Sequence, residues 1–232
     1  MENLINLIFP QECFSCGKIG RILCVECLRK LSLSKIADKQ ICIVCGTYSK
    51  EGMTHEKCLK SKDNKAPRQL IYLFEYKDMV RKSVKESKYA RKQFLALKYL
   101  TRWGIQECGF DFGYYTGFAL VPVPISKKKM RRRGFNQARI IAREAAPLLG
   151  LKLNATCVTR EKDTRAQYTK SRTERFKSLE GAFSVEGNYV RGRKILLVDD
   201  ICTTGATLLE ISKVLYEVGA QEVRCLCLSK AV

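Results

Sequence analysis

Lys194-Ile-Leu-Leu-Val-Asp-Asp-Ile-Cys-Thr-Thr-Gly-Ala-Thr207 is an apolar run that stops at two adjacent carboxylates and then turns through small, hydroxyl-rich residues. Ile195 to Val198 show no polar alternation, which suits a strand buried on both faces of a parallel sheet. Ligands of such sheets gather at the carboxyl ends of the strands. There Asp199 and Asp200 can accept hydrogen bonds from a vicinal diol. Thr203, Thr204, Gly205, Ala206 and Thr207 offer backbone N–H groups and hydroxyls to an anion. A helix is expected directly after, with Leu208, Ile211, Leu215 and Val218 along one stripe and Gly219 as its C′ stop. Its N-terminus would face the anion. A sugar phosphate satisfies both halves, with its diol on the carboxylates and its phosphate in the loop.

Upstream, Phe118 to Val123 read as a second apolar strand, ended by Val121-Pro-Val-Pro124 because proline cannot continue a central ladder. The chain then enters a basic loop that carries Lys127, Lys128, Lys129, Arg131, Arg132 and Arg133 and runs on through Gly134 and Phe135. Asn136 is the expected N-cap of a helix whose Ala138, Ile141, Ala142 and Ala145 share a face. Farther upstream, Ile71 to Tyr76 suggest a strand with alternating contacts, and Val80 to Trp103 one or two amphipathic helices. The polar stretch 60–69 reads as a linker. The expected organisation is a small module over residues 1–62 and an α/β domain, a parallel sheet flanked by helices, over 68–232.

The small module repeats itself. Cys13-Phe-Ser-Cys16-Gly is followed by Cys24-Val-Glu-Cys27, and Cys42-Ile-Val-Cys45-Gly by His55-Glu-Lys-Cys58. Two such knuckle pairs are a strong zinc pattern. Eight N/S ligands suggest two tetrahedral sites used in sequence order: Cys13, Cys16, Cys24, Cys27 for one ion and Cys42, Cys45, His55, Cys58 for the other. A crossed arrangement or a single occupied site stays open. Residues 1–60 are expected to offer too few large apolar side chains for an independent core, so metal would supply much of the folding free energy. Cys108, Cys157, Cys202, Cys225 and Cys227 lack ligand spacing and read as core or loop thiols. His55 is the only histidine. If it binds metal, a Ser-His-Asp or Cys-His hydrolase is excluded.

Of the 43 basic and 23 acidic residues, residues 121–180 hold 16 and 5, so that segment carries +11 of the chain's net +20. A polyanion is the implied partner, a multiply phosphorylated small molecule or nucleic acid. Phe135 could stack on a base of single-stranded DNA, with Tyr114, Tyr115 and Tyr168 as weaker candidates. Residues 1–9 lack the basic leader of a signal peptide and are too short to span a membrane. The expected location is the cytoplasm.

The 194–207 stretch resembles the 5-phosphoribosyl-1-pyrophosphate (PRPP) motif of type I phosphoribosyltransferases. The resemblance implies that fold, with Mg-PRPP as ligand or substrate, Asp199 and Asp200 on the ribose hydroxyls, residues 203–207 on the 5-phosphate and the basic loop on the pyrophosphate. Pro122-Val-Pro124, the basic stretch and Arg133-Gly-Phe-Asn-Gln137 sharpen it, as do Arg160, Thr164, Gln167, Arg175, Gly181-Ala-Phe183 and the paired knuckles. Together they resemble the ComF family of competence proteins. Ser178 departs from the asparagine common there. This resemblance implies a role in internalising DNA during natural transformation, at the inner face of the membrane beside the DNA-translocating ATPase ComFA. Three readings stay open: single-stranded DNA binding, phosphoribosyl transfer to an unidentified acceptor, and an adaptor docking on ComFA through the zinc module. No stretch forms a recognisable hood for a base, so the sequence names no acceptor.

Overall fold

The computed structural model describes residues 11–31, 39–87, 94–108, 111–162 and 172–231. Within them the elements run, in chain order, α1 (Val25–Lys30), α2 (Glu56–Lys60), β1 (Leu70–Glu75), α3 (Asp78–Glu86), α4 (Phe94–Glu107), β2 (Phe118–Pro122), α5 (Lys127–Arg133) and α6 (Gln137–Leu149). They continue with β3 (Lys152–Leu153), β4 (Val158–Arg160), α7 (Arg172–Leu179), β5 (Phe183–Val185), α8 (Gly187–Val190), β6 (Lys194–Cys202), α9 (Ala206–Glu217) and β7 (Glu222–Lys230). A parallel sheet in the order β1-β7-β6-β2-β3 forms the centre, and β4 and β5 make a separate antiparallel pair. The α/β architecture is the expected one.

Strand β6 lies between β2 and β7, and Ile195 to Val198 are fully buried. From β2 the chain winds outward through α6 to β3, and from β6 it winds the other way through α9 to β7. Right-handed crossovers that diverge in this way put their helices on opposite faces and open a crevice between the two strands. Helix α6 packs on β2, β3 and β6 and against α4, whereas α9 packs on β5, β7 and α7. Of the predicted α9 stripe, Leu208, Ile211 and Leu215 are buried, whereas Val218 falls just past Glu217 as the half-buried C-cap, and Gly219 after it takes φ +94.

Three expectations change. The apolar run alone predicts a strand ending at Val198, yet β6 runs on to Cys202 because β7 keeps pairing with it, Asp199 opposite Cys227 and Cys202 opposite Lys230. The expected basic loop is helix α5: the Ser126 hydroxyl accepts from the Lys129 amide, Lys and Arg are good helix formers, and Gly134 stops it at φ +76. Finally, β1 does not alternate, since Leu70 to Phe74 are all buried. Phe74 stacks on Trp103 of α4 at 6.1 Å, and the edge of the strand is covered by the cysteine-rich module. No described helix is long and apolar enough to cross a membrane.

That cover works as a substitute strand. The Gln40 side-chain amide donates to the Tyr72 carbonyl (3.2 Å) and accepts from the Tyr72 N–H (3.1 Å), matching both edge groups. Met53 bridges Gln69, and the Thr54 amide donates to the Arg68 carbonyl at 2.8 Å. Leu23, Ile43 and Leu59 join the same apolar cluster as the sheet. Gly52 is the tightest point: its φ is +72, and a Cβ there would lie 2.0 Å from the Leu70 carbonyl oxygen. Gly192 has nearly the same φ, +71, in open space. Gly192→Ala should therefore cost only the backbone strain, about 1 kcal/mol. Gly52→Ala should cost clearly more and loosen the module from β1. Thermal melts of the two variants test this, and equal losses would refute the steric role of Gly52.

Candidate functional site

Pairing between β2 and β6 ends at Pro122 opposite Val198, with one more bond from the Val123 amide to the Val198 carbonyl at 2.8 Å. Asp199 and Asp200 follow at once, on the part of β6 that β2 no longer flanks. The Asp199 carboxylate accepts from the Asp200 amide, and the Asp200 carboxylate from the Ile201 amide, both at 2.8 Å. Each side chain thus bonds the backbone just beyond it and keeps its remaining oxygen capacity for other donors. Burial, reinforced by the neighbouring Asp200 charge, raises the Asp199 carboxyl well above its ordinary 3.8.

The turn after β6 is set by backbone. Gly205 sits before α9 in the left-handed region, φ +77, and the Thr204 hydroxyl accepts from the Ala206 amide at 3.4 Å. The Thr207 and Leu208 amides of the first turn have no acceptor among the described residues, as expected of a helix start. They point the way an anion would be held. A Cβ on Gly205 would lie 2.9 Å from the Ile43 side chain, so the second knuckle rests directly on this loop. Ile43 lies between two candidate ligands, Cys42 and Cys45, and is itself buried. A sequence signal existed, since Ile-Val between paired cysteines is unusually apolar for a solvent-facing knuckle, but nothing in it names the partner.

Opposite this loop, Asn136 ties the α5–α6 corner to the end of β2: its side chain donates to the Val123 carbonyl (2.8 Å) and accepts from the Ala138 amide (3.0 Å). Lys127, Lys128, Arg131 and Arg132 are exposed, whereas Lys129 and Arg133 are half-buried. The Arg133 guanidinium donates to the Gln137 side chain at 3.1 Å, while buried Arg133 Nε and Gln137 Nε2 have no acceptor among the described residues. Donors without acceptors thus follow the end of β2, and the acidic pair follows the last β2-paired residue of β6, the neighbouring strand.

Other candidates fall differently. Phe135 is half-buried and Tyr114 is 73% exposed. Tyr115 is not a stacking ring: it is 2% exposed and donates to Gln69 at 2.7 Å, because it closes the core beside Phe118. Arg160 stacks its guanidinium on Phe183 at 5.4 Å. Thr164, Gln167 and Tyr168 lie outside the described residues.

The eight candidate ligands gather as two sets, Cys13, Cys16, Cys24, Cys27 and Cys42, Cys45, His55, Cys58, with the four ligand atoms of each within 4.8 Å of one another. The two repeats fold alike. In each, the glycine after the second cysteine is left-handed, φ +76 at Gly17 and +79 at Gly46, and donates back to the first cysteine's carbonyl, at 2.7 and 2.9 Å. The second pair of ligands sits at the start of a short helix, α1 or α2. His55 Nδ1 lies 3.5 Å from Cys45 Sγ, so this nitrogen faces the sulfurs. Burial would raise the Cys13 thiol, but amides of Cys24, Cys16 and Ser15 outweigh it and bring it to about 6. In the second set burial pushes Cys58 up to about 11, helped by Cys45 and Cys42. One sulfur ionises at the expense of its neighbours, so a full set of ligands needs a cation. That fits one zinc centre of four cysteines and a second of three cysteines and a histidine.

The fold is that of a phosphoribosyltransferase domain preceded by an N-terminal double zinc ribbon. The chain matches the phosphoribosyl transferase domain over residues 131–231 and the double zinc ribbon domain over 4–59. Its homologues are named as DNA utilization and competence proteins. DNA utilization protein YhgH of Escherichia coli is 28% identical over 97% of this chain and 100% of its own length. Competence protein F of Haemophilus influenzae is 37% identical over 49% of this chain and 50% of its own. Competence protein ComFC of Bacillus subtilis is 29% identical over 85% and 79%.

The raised Asp199 carboxyl has a consequence for stability. Between its unfolded value of 3.8 and its higher folded value, the folded state holds a proton that the unfolded state has lost, so stability falls as pH rises through that interval. Asp199→Asn should therefore raise the melting temperature at pH 8 by about 2–4 °C, with the gain vanishing towards pH 4. Melts across pH test this, and a lower melting temperature at pH 8 would refute it.

Proposed function

We propose that the protein acts in DNA uptake during natural transformation, binding PRPP and single-stranded DNA through its phosphoribosyltransferase domain. The observation that carries this reading is that the acidic pair follows on β6 where its pairing with β2 ends, while the cationic helix α5 follows β2 itself. The names of its homologues support the biological role.

In this reading Asp199 and Asp200 accept from the ribose hydroxyls of Mg-PRPP, and residues 203–207 with the first turn of α9 hold the 5-phosphate. Lys127 to Lys129 and Arg131 to Arg133 face the pyrophosphate. A departing pyrophosphate needs positioning and charge more than proton transfer, so the lack of a histidine beside the crevice is no obstacle to transfer. The exposed cations of α5 also hold the phosphates of single-stranded DNA, with Phe135 and Tyr114 nearest in kind to stacking residues. Zinc, held by the two ligand sets, supplies folding free energy to the ribbon and keeps Ile43 seated on Gly205. A translocating ATPase of the ComFA type is the expected protein partner, in the cytoplasm at the inner membrane face.

Two experiments test the proposal. Replacing Asp199 and Asp200 together by alanine should abolish PRPP binding by calorimetry and leave zinc content unchanged; undiminished affinity would refute the assignment. Neutralising the six cations of α5 should remove salt-sensitive DNA binding in gel-shift titrations. In the unmodified protein, six phosphate contacts should lose about three orders of magnitude in affinity between low and moderate salt. If DNA binding survived the neutralisation, its surface lies elsewhere.

A further inference from the structure

A cavity of ≈ 460 Å³ lies between the first knuckle and the corner where β1 passes into α3. Its volume is in the range of small-molecule sites. Leu31, just past α1, lines it together with Phe74 of β1 and Met79 and Val80 of α3. Phe74 is held by its stack on Trp103, so this apolar wall is firm. The cavity shares only Glu75 with the space beside the loop after β6, and a ligand here leaves that loop free.

Four charged residues line the same cavity, Lys30, Glu75, Lys77 and Asp78. Two of them are already engaged. Glu75 accepts from Lys39 at 2.7 Å and pairs with Lys77 at 2.5 Å, and hydrogen bonds from Lys39 and then Lys77 hold its carboxyl below the usual range. The other two, Lys30 and Asp78, are exposed and of opposite sign, and neither takes part in an ion pair among the described residues. Asp78 has φ +43, a left-handed backbone that aspartate tolerates and glycine prefers. A carboxylate therefore stands on this rim against the local backbone preference.

The lining selects its ligand by charge. A purely anionic molecule is attracted by Lys30 but repelled by Asp78, and a purely cationic one meets the reverse. A small zwitterion satisfies both, provided that it also brings an apolar body to the wall beneath. An α-amino acid with an apolar side chain carries both charges and that body on one carbon.

We propose that this cavity binds a free apolar α-amino acid, with its ammonium on Asp78, its carboxylate on Lys30 and its side chain against Leu31, Phe74, Met79 and Val80. The inference is independent of the phosphate reading of the loop after β6. Cys16 and Cys27 also line the cavity, so the first ligand set shapes a small-molecule site as well as the ribbon.

Calorimetry on the full-length, zinc-loaded protein tests the proposal with L-leucine and L-phenylalanine. Each is compared with an analogue lacking the amine, isocaproate or hydrocinnamate, and one lacking the carboxylate, isoamylamine or phenethylamine. At least one amino acid should bind, and loss of either charged end should weaken it about tenfold or more, as expected for one charge-assisted hydrogen bond. Asp78→Asn, which also tolerates the left-handed backbone, and Lys30→Gln should each cause a loss of the same size with zinc content unchanged. Leu31→Trp, which fills the cavity from a half-buried position, should abolish binding. If neither amino acid binds, if the analogues bind as well as their parents, or if both charge variants keep full affinity, the assignment is overturned. The analogue comparison uses the unmodified protein, so it decides the matter even where a variant does not fold.

Discussion

Strand β6 outlasts strand β2, and the candidate site exists because it does. Proline at 122 and 124 ends one side of the ladder opposite Val198, while β7 continues the other side to Cys202. The backbone carrying Asp199 and Asp200 is therefore rigid on one flank and open on the other. A carboxylate pair on a free loop would be solvated and mobile. Held on a strand, it keeps a fixed bearing towards the loop after β6 and stays partly desolvated, which is what lifts the Asp199 carboxyl. The departure of successive crossovers to opposite faces then leaves the gap that a ligand needs.

The second constraint is the edge of β1. An exposed parallel edge strand as apolar as Leu70 to Phe74 would invite association with other chains. The ribbon removes that hazard through Gln40, Met53 and Thr54, and Gly52 permits the close approach. Among the described residues of the ribbon, Leu23, Ile43 and Leu59 are the buried large apolar side chains, and they pack into the cluster of the sheet. The ribbon draws on the sheet for part of its core and, in the proposed reading, on two zinc ions for the rest. The arrangement is mutual, since the same packing sets Ile43 against Gly205 and shapes the space beside the loop after β6.

Charge completes the picture at longer range. The segment 121–180 carries +11, and part of it is gathered on α5, one short helix that follows β2. Like charges on successive turns repel, so such a helix gains from an anion that bridges them. A pyrophosphate and a strand of DNA make the same demand on that surface, which is why the two proposed ligands are compatible with one crevice.

Much of this was legible in the chain itself. The run Ile195 to Val198 announced a buried strand, Gly219 a helix end, Asn136 a cap, and the doubled Cys-x-x-Cys-Gly two knuckles, because each depends on local backbone geometry or on spacing along the chain. The extension of β6 was not legible, since it depends on pairing with β7, some thirty residues away. Nor was the helical state of 127–133, where a run of cations hid a capped helix, or the burial of Tyr115 and of all of β1. Most of all, nothing in the order of residues placed Ile43 on Gly205 or Gln40 on Tyr72. Amino-acid order determined which groups could bind a sugar phosphate and a metal; tertiary packing alone decided that the second knuckle would stand over the loop after β6, because contacts between distant segments have no signature in either one alone.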